Sequence, residues 1–214
     1  MTITVGCMRE FYFSISLLLI SQFCFAQTEG TNFAKISNKI LKHEIASFNI
    51  AHGFEATDTI KKKEVNEIPL LNCSDSLITF SAEGLKISIS STRFDSSRHK
   101  LWYDSQSYLK LIDGKSFWGT DGGVPNEEVK EVNVTIGNKR FLFPIDALKG
   151  IYQPNFCTKN NLNGDLILHS KVFRSTDKRR IYVYMLNSDG AGGYEVIWII
   201  QDKKYLTRVI DFGF

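Results

Sequence analysis

From Leu77 onward, hydrophobic positions recur every second residue. Leu85, Ile87 and Ile89 alternate with Lys86, Ser88 and Ser90, the pattern of a strand with one face buried and one in water. Tyr108–Trp118 (YLKLIDGKSFW) sets Asp113-Gly114 between two strand-like runs, and Val129–Phe143 sets Gly137-Asn138 between two more. Such dipeptides tolerate the positive φ of a two-residue hairpin turn. Ser90–His99 (SSTRFDSSRH) reads as a polar loop, and Pro144–Gly150 (PIDALKG) as a short helical turn closed by glycine.

The last fifty or so residues carry the clearest pattern. Asp165–Phe173, Arg180–Asn187, Tyr194–Gln201 and Tyr205–Phe214 each read as a strand, joined by connections too short for anything but antiparallel neighbours. Ile181–Leu186 is apolar on both sides, with Ile181, Val183 and Met185 against Tyr182, Tyr184 and Leu186. A strand of that kind belongs in the middle of a sheet covered on both faces. In the final strand Leu206, Ile210, Phe212 and Phe214 fall at even spacing, which predicts one shared face.

The N-terminal third is different. Asn32–Asn49 carries Phe33, Ile36, Ile40, Leu41, Ile45 and Phe48 on one helical face. Ala51–Pro69 is polar and reads as a loop. The fold class expected is mainly β: an antiparallel, sandwich-like or strongly curved sheet with one N-terminal helix packed on it.

Ahead of this lies an address. Phe11–Ile20 is apolar apart from two serines, Arg9 precedes it, and Cys24 and Ala26 supply small residues at the −3 and −1 positions of a cleavage site. That is the layout of a secretory signal peptide over residues 1–26, with a single exported β-rich domain over 27–214. The run is shorter than the ~20 apolar residues of a membrane span, so no span is expected in the mature chain. A start at Met8 would give a tighter signal. Lipidation at Cys24 is disfavoured, because Phe23 stands where a small residue normally precedes the cysteine and Ser21 where an aliphatic residue normally lies three places back. The expected location is the periplasm or the extracellular space.

Charge narrows the partners. The chain has 26 Lys and Arg against 23 Asp and Glu, and the signs are interleaved. Lys61-Lys62-Lys63 is followed by Glu64 and Glu67, the pattern of a solvated face. No basic surface for nucleic acid is expected. Outside the signal segment two cysteines remain, Cys73 and Cys157. In an exported chain they either pair, closing a long loop, or stay as two buried thiols; spacing alone does not decide. No CxxC or HxxxH spacing occurs and His43, His52, His99 and His169 are scattered, so no metal and no cofactor is expected.

Chemistry could reside in two glycine-rich acidic loops, Gly119–Asn126 (GTDGGVPN) and Ser188–Gly193 (SDGAGG). They offer Asp121 and Asp189 as binding groups on a β scaffold. Each loop holds one carboxylate, too few for a calcium site, and neither has the GxGxxG or GK[ST] spacing of a phosphate cradle. Asp211-Phe212-Gly213 has no HRD before it and is not a kinase motif. GxSxG is absent. A carboxylate pair for glycoside hydrolysis would be drawn from Asp104, Asp121, Glu127, Glu128 and Asp189. Trp102, Tyr103, Trp118 and Tyr194 flank the loops and, if exposed, would form an adhesive surface for a protein or glycan. The reading that follows is an exported non-catalytic binding protein, such as an inhibitor or neutraliser of another protein. A hydrolase of cell-envelope polysaccharide is the alternative, and a structural envelope accessory the third.

The signal reading predicts cleavage after Ala26. Intact-mass measurement of the exported protein should give a chain beginning at Gln27; retention of Leu17–Ile20, or lipid on Cys24, would contradict it.

Overall fold

The computed structural model describes residues 65–187 and 192–211, together with Thr31, Asn32, Ser37 and Lys39. The helical pattern of Asn32–Asn49 therefore lies almost wholly outside the described residues; Asn32 itself belongs to a strand. The signal segment lies outside them too.

The described chain is mainly β, in antiparallel sheets. In chain order the strands are β1 (Thr31–Asn32), β2 (Val65–Glu67), β3 (Leu70–Ser74), β4 (Leu77–Ala82) and β5 (Leu85–Arg93). Next come β6 (Leu101–Tyr103), β7 (Leu109–Ile112), β8 (Glu127–Ile136), β9 (Lys139–Leu142) and β10 (Cys157–Lys159). The last are β11 (Leu166–Leu168), β12 (Ser170–Ser175), β13 (Arg180–Asn187), β14 (Tyr194–Gln201) and β15 (Lys204–Asp211). A six-stranded sheet runs β1-β15-β14-β13-β12-β2, and a five-stranded sheet runs β3-β4-β5-β8-β9. Two small ribbons, β6-β7 and β10-β11, complete the described strands. Only the β1–β15 pair is parallel among them.

The two large sheets share one core. Ile78, Phe80, Ile87, Ile89, Val132 and Val134 of the five-stranded sheet meet Val183, Met185, Val196, Trp198 and Ile200 of the six-stranded one. The alternation of β5 decides its outer face, where Lys86, Ser88 and Ser90 follow the pleat away from that core. The six-stranded sheet is different: Phe173, Tyr182, Tyr184, Ile197, Ile199 and Val209 form a second buried cluster on its other face. This is why Ile181–Leu186 of β13 and Val196–Ile200 of β14 are apolar without interruption. They sit in the middle of their sheet, with Val183 opposite Trp198 on one face and Tyr182 opposite Ile199 on the other.

Both expected turns form, but only Gly137-Asn138 joins two paired strands: after Asp113-Gly114 a single bridge, Ile112 to Lys115, takes the place of the second strand, and β7 pairs with β6. Asp113 (φ 53) and Gly114 (φ 76) are both left-handed, as a type I′ turn requires. Gly137 (φ 59) joins β8 to β9. Asp202 (φ 50) and Lys203 (φ 61) make the same kind of two-residue turn between β14 and β15 without glycine.

Several boundaries differ from the sequence reading. Ser90–Arg93 continues β5 instead of looping, because β8 is long enough to pair with it through Arg93–Glu127. Part of the expected loop Ala51–Pro69 is strand β2, paired to β12. Asp165–Phe173 splits at His169: Leu166–Leu168 pairs with β10, while Ser170 onward joins the large sheet. Leu206 does not share a face with Ile210. The register shifts opposite Ile199-Ile200, so that Tyr205 faces Ile200, Thr207 faces Ile199, and Leu206 is the extra residue. Such a bulge reverses the parity, leaving Leu206 exposed and Ile210 in the core. Phe212 and Phe214 lie outside the described residues.

Between the sheets runs a strap, Phe143–Cys157, that is mostly neither helix nor sheet. Phe143, Leu148, Ile151 and Phe156 add to the shared core. A 3-10 turn at Ile145–Ala147 presents the Ala147 carbonyl to Trp198 Nε1 at 2.7 Å and to the buried Arg208 guanidinium at 3.0 Å. Arg208 also donates to the Lys149 carbonyl at 2.8 Å. At its far end the strap is joined to the edge strand β3 by the Cys73–Cys157 disulfide, with Cα atoms 6.6 Å apart. Closing a loop of this length contributes about 4–5 kcal/mol in the chain-entropy account.

The bulge predicts an asymmetry within one strand. Ile210→Ala should destabilise by about 2–5 kcal/mol, and Leu206→Ala by no more than about 0.5 kcal/mol. Equal shifts in denaturant midpoint for the two variants would contradict the register.

Candidate functional site

The chain between β5 and β8 builds a raised end on the fold. Phe94, Leu109, Ile112 and Tyr152 form a small separate core, with Leu101 and Phe117 packed against it. The β6-β7 ribbon sits on this base. Asp113 in its turn ties the structure back: its carboxylate accepts from Lys100 N at 2.9 Å and meets His99 Nδ1 at 2.7 Å. Those two contacts hold the Asp113 pKa below the usual carboxylate value, the Lys100 amide contributing most. The His99 ring stacks on Phe94 at 4.6 Å.

At the other end of the ribbon the turn Asp104–Tyr108 is organised by a single carboxylate. Asp104 accepts from the main-chain N–H of Gln106 at 2.9 Å and of Tyr108 at 3.0 Å, and pairs with Lys110 Nζ at 3.2 Å. The hydrogen bonds, that to Tyr108 first, lower its pKa. The result is a braced ribbon carrying three exposed aromatic side chains: Trp102 (59 %), Tyr103 (51 %) and Tyr108 (50 %). The Lys110 ammonium lies 5.6 Å from the Tyr108 ring centre.

The first glycine loop leans against this ribbon. Leu109 N donates to the Gly122 carbonyl at 2.7 Å, and Thr120 Oγ1 donates to the Gly123 carbonyl at 2.6 Å. A Cβ on Gly122 would fall 2.7 Å from the Tyr108 ring. The second glycine loop meets the first: Gly119 N donates to the Gly192 carbonyl at 2.9 Å, and a Cβ on Gly192 would lie 2.4 Å from the Thr120 carbonyl carbon. The two loops that the sequence singled out are thus in contact through their backbones. Glycine is needed there for close approach, not for turn geometry alone.

Beside Gly119 opens a cleft of about 490 Å³. Its polar lining comprises the carboxylates of Asp75 and Glu127 and the amides of Asn126, Gln153, Asn155 and Asn187. The strap shapes it. Gln153 has a positive φ of 51, and its Oε1 accepts from the N–H of both Asn126 (3.0 Å) and Glu127 (2.9 Å). The Tyr152 carbonyl accepts from Asn187 Nδ2 and from the Tyr194 hydroxyl, each at 3.0 Å. Gly119 must pass this carbonyl, since a Cβ there would sit 2.1 Å from its oxygen. Burial, helped by the negative charges of Glu128 and Asp113, raises the Tyr152 phenol to about 12, so it is neutral at physiological pH.

The residues singled out from sequence separate clearly. Trp102 and Tyr103 are exposed on the ribbon. Trp118 is half-buried and packs against the main core. Tyr194 is fully buried, its hydroxyl committed to Tyr152, and so is no part of the surface. Asp121 is exposed on the first loop, and Asp189 lies outside the described residues. Of the described carboxylates considered for hydrolysis, Glu127 lines the cleft, Asp104 is spent on its turn, and Glu128 pairs in β8 and bridges to Tyr152. Tyr108, Asp75, Gln153, Asn155 and Asn187 were not foreseen, and Asn126 entered only as the end of the first glycine loop; nothing in the local spacing of the cleft residues marks them, because they meet only through the strap. Among the described residues no group of three or more His, Cys, Asp or Glu is placed to hold a metal ion, and no helix is long and apolar enough to cross a membrane.

Comparison with protein-family models, with curated proteins and with solved structures gave no match to this chain.

Gly119 and Gly84 both have positive φ, but a Cβ on Gly84 meets nothing within 4 Å. Gly84→Ala should cost about 1–2 kcal/mol for backbone strain alone. Gly119→Ala should exceed it by at least about 2 kcal/mol, the scale of a forced core rearrangement. Thermal or denaturant unfolding of the pair checks this, and equal losses would show that the Tyr152 carbonyl does not constrain the loop.

Proposed function

We propose that the protein is an exported, non-catalytic binding protein whose partner, a protein or a glycan, docks on the exposed aromatic side chains of the β6-β7 ribbon. The observation that carries this reading is three exposed aromatic side chains on one short ribbon whose turns are braced by Asp104 and Asp113. Single exposed apolar residues are ordinary on a protein surface. Large aromatics held on a rigid element are what binding surfaces use, because little side-chain and loop entropy remains to be lost. Export is supported by the signal-like N-terminus and by the disulfide, a bond that persists in oxidising compartments. Inhibition or neutralisation of the bound partner is one use of such a surface.

The N-terminal helix belongs to this proposal. Thr31–Asn32 pairs at one edge of the six-stranded sheet and Val65–Glu67 at the other. The five-stranded sheet occupies the first face. The apolar side of Asn32–Asn49 suits a helix packed on a sheet whose second face is apolar.

One observation favours the hydrolase alternative: Glu127 and Asp75 line the same cleft.

Cosedimentation with isolated cell envelope tests the binding reading. The protein should sediment, and the double variant Trp102→Ala/Tyr103→Ala, with an unchanged melting temperature, should bind at least about 10-fold more weakly, as hot-spot truncation does. A variant that sediments like the parent would refute docking on these aromatic side chains. Envelope polysaccharide should release no reducing ends; release that is abolished by Glu127→Gln would instead establish the hydrolase.

A further inference from the structure

The lining of the cleft carries information about its ligand. We infer that it takes a neutral glycan chain, which continues from the cleft over the first glycine loop onto the aromatic ribbon; the inference rests on the binding reading above.

The argument is one of hydrogen-bond complementarity. Among the described residues, the lining has four amide and two carboxylate side chains and no Lys, Arg or His. An anionic ligand would face Asp75 and Glu127 without a countercharge, and nucleic acid would lack the cations its phosphates need. An apolar ligand would strip water from six polar groups and return no hydrogen bonds. An ammonium ligand could satisfy the carboxylates but has no acceptor for amide N–H groups. A sugar hydroxyl is donor and acceptor at once, and so pairs with carboxylate, amide carbonyl and amide N–H alike.

The site is also built in advance. Gln153 spends its Oε1 on the N–H groups of Asn126 and Glu127, which orients its NH₂ as a donor. Asn187 is 3 % exposed and pinned to the Tyr152 carbonyl. These amides therefore keep their places with little entropy left to lose. The cleft is open, so a chain can leave it. Gly119 belongs to its wall, and three residues on Gly122 lies against Tyr108. That step is at most about 10 Å of extended chain, short enough for one oligosaccharide to reach both. The apolar faces of its rings would then lie on Tyr108, Trp102 and Tyr103, whose amphipathic rings suit a ligand wet on its edges.

Calorimetric titration of the full exported chain with neutral hexaoses of glucose, mannose and N-acetylglucosamine, and with polygalacturonate, tests this. At least one neutral hexaose should bind, with an affinity unchanged by salt, and polygalacturonate should not. Asn155→Ala, at a half-buried position, and Glu127→Gln should each weaken binding about 10-fold or more. A readout without variants accompanies it: the neutral hexaose should slow amide exchange at Asn126–Glu127 and Gln153–Cys157. If no neutral hexaose binds, or polygalacturonate binds as well, the inference is overturned. Envelope cosedimentation separates the two failures. If it still depends on Trp102 and Tyr103, the partner is a protein and the binding reading stands; if it does not, both fall.

Discussion

The main-chain carbonyls of Ala147 and Tyr152 lie where the sheets meet, out of reach of water. A buried carbonyl left unmatched destabilises by about 1–3 kcal/mol. The six-stranded sheet answers them with side chains: the Trp198 indole and the Arg208 guanidinium for Ala147, the Asn187 amide and the Tyr194 hydroxyl for Tyr152. These donors sit on β13, β14 and β15, so three neighbouring strands must hold their register for the strap to be seated. Arg208 is the sharpest case. A charged residue inside a sheet core is unfavourable by itself, and here it is accommodated because carbonyls of a 3-10 turn and its sequel turn towards it. The turn's own negative end adds to that attraction.

From this seat the geometry of the raised end follows. The strap pairs with Trp118 on one side and with Glu127–Glu128 on the other, so both ends of the first glycine loop are set by it. The second loop arrives at the same place because β14 begins with Tyr194, whose hydroxyl is already committed to Tyr152. Gly119 and Gly192 permit the approach. The polar character of the cleft has the same origin, since it is walled by strap, loop and strand end rather than by the inward faces of sheets. Its lining therefore keeps polar side chains, whereas the apolar residues around them are consumed in packing.

The aromatic ribbon is physically distinct from that core. Its base is the small cluster around Phe94 and Tyr152, and its turns are held by one exposed carboxylate, Asp113, and one half-buried, Asp104. Asp104 and Asp113 both have lowered pKa values. A carboxylate whose folded pKa is depressed stabilises at pH values above its unfolded value, and that contribution fades as pH falls through the folded one. The bracing is accordingly intact near neutrality and weakens only in acid, below about pH 4. Solvent screens these surface contacts, so their role is to orient Tyr103 and Tyr108 more than to stabilise the fold.

The β character, the antiparallel order of the C-terminal strands and the turns at Asp113-Gly114 and Gly137-Asn138 were legible in the sequence. Each depends on neighbours: period-two alternation, doubly apolar runs at Ile181–Leu186, and dipeptides that accept positive φ. What the sequence could not supply was anything set by residues far apart. The bulge that turns Leu206 outward arises from pairing with Ile199 and Ile200, the extension of β5 through Arg93 from the length of β8, and the burial of Tyr194 from a carbonyl forty-two positions away. Cys73 and Cys157 were left open by spacing, and only the packing of β3 beside the end of the strap brings them together. The same holds for the candidate site. Trp102 and Tyr103 could be suspected from their type, but Asp75, Asn126, Gln153, Asn155 and Asn187 carry no local mark, because a polar residue becomes a wall of a cleft only when distant backbone closes around it.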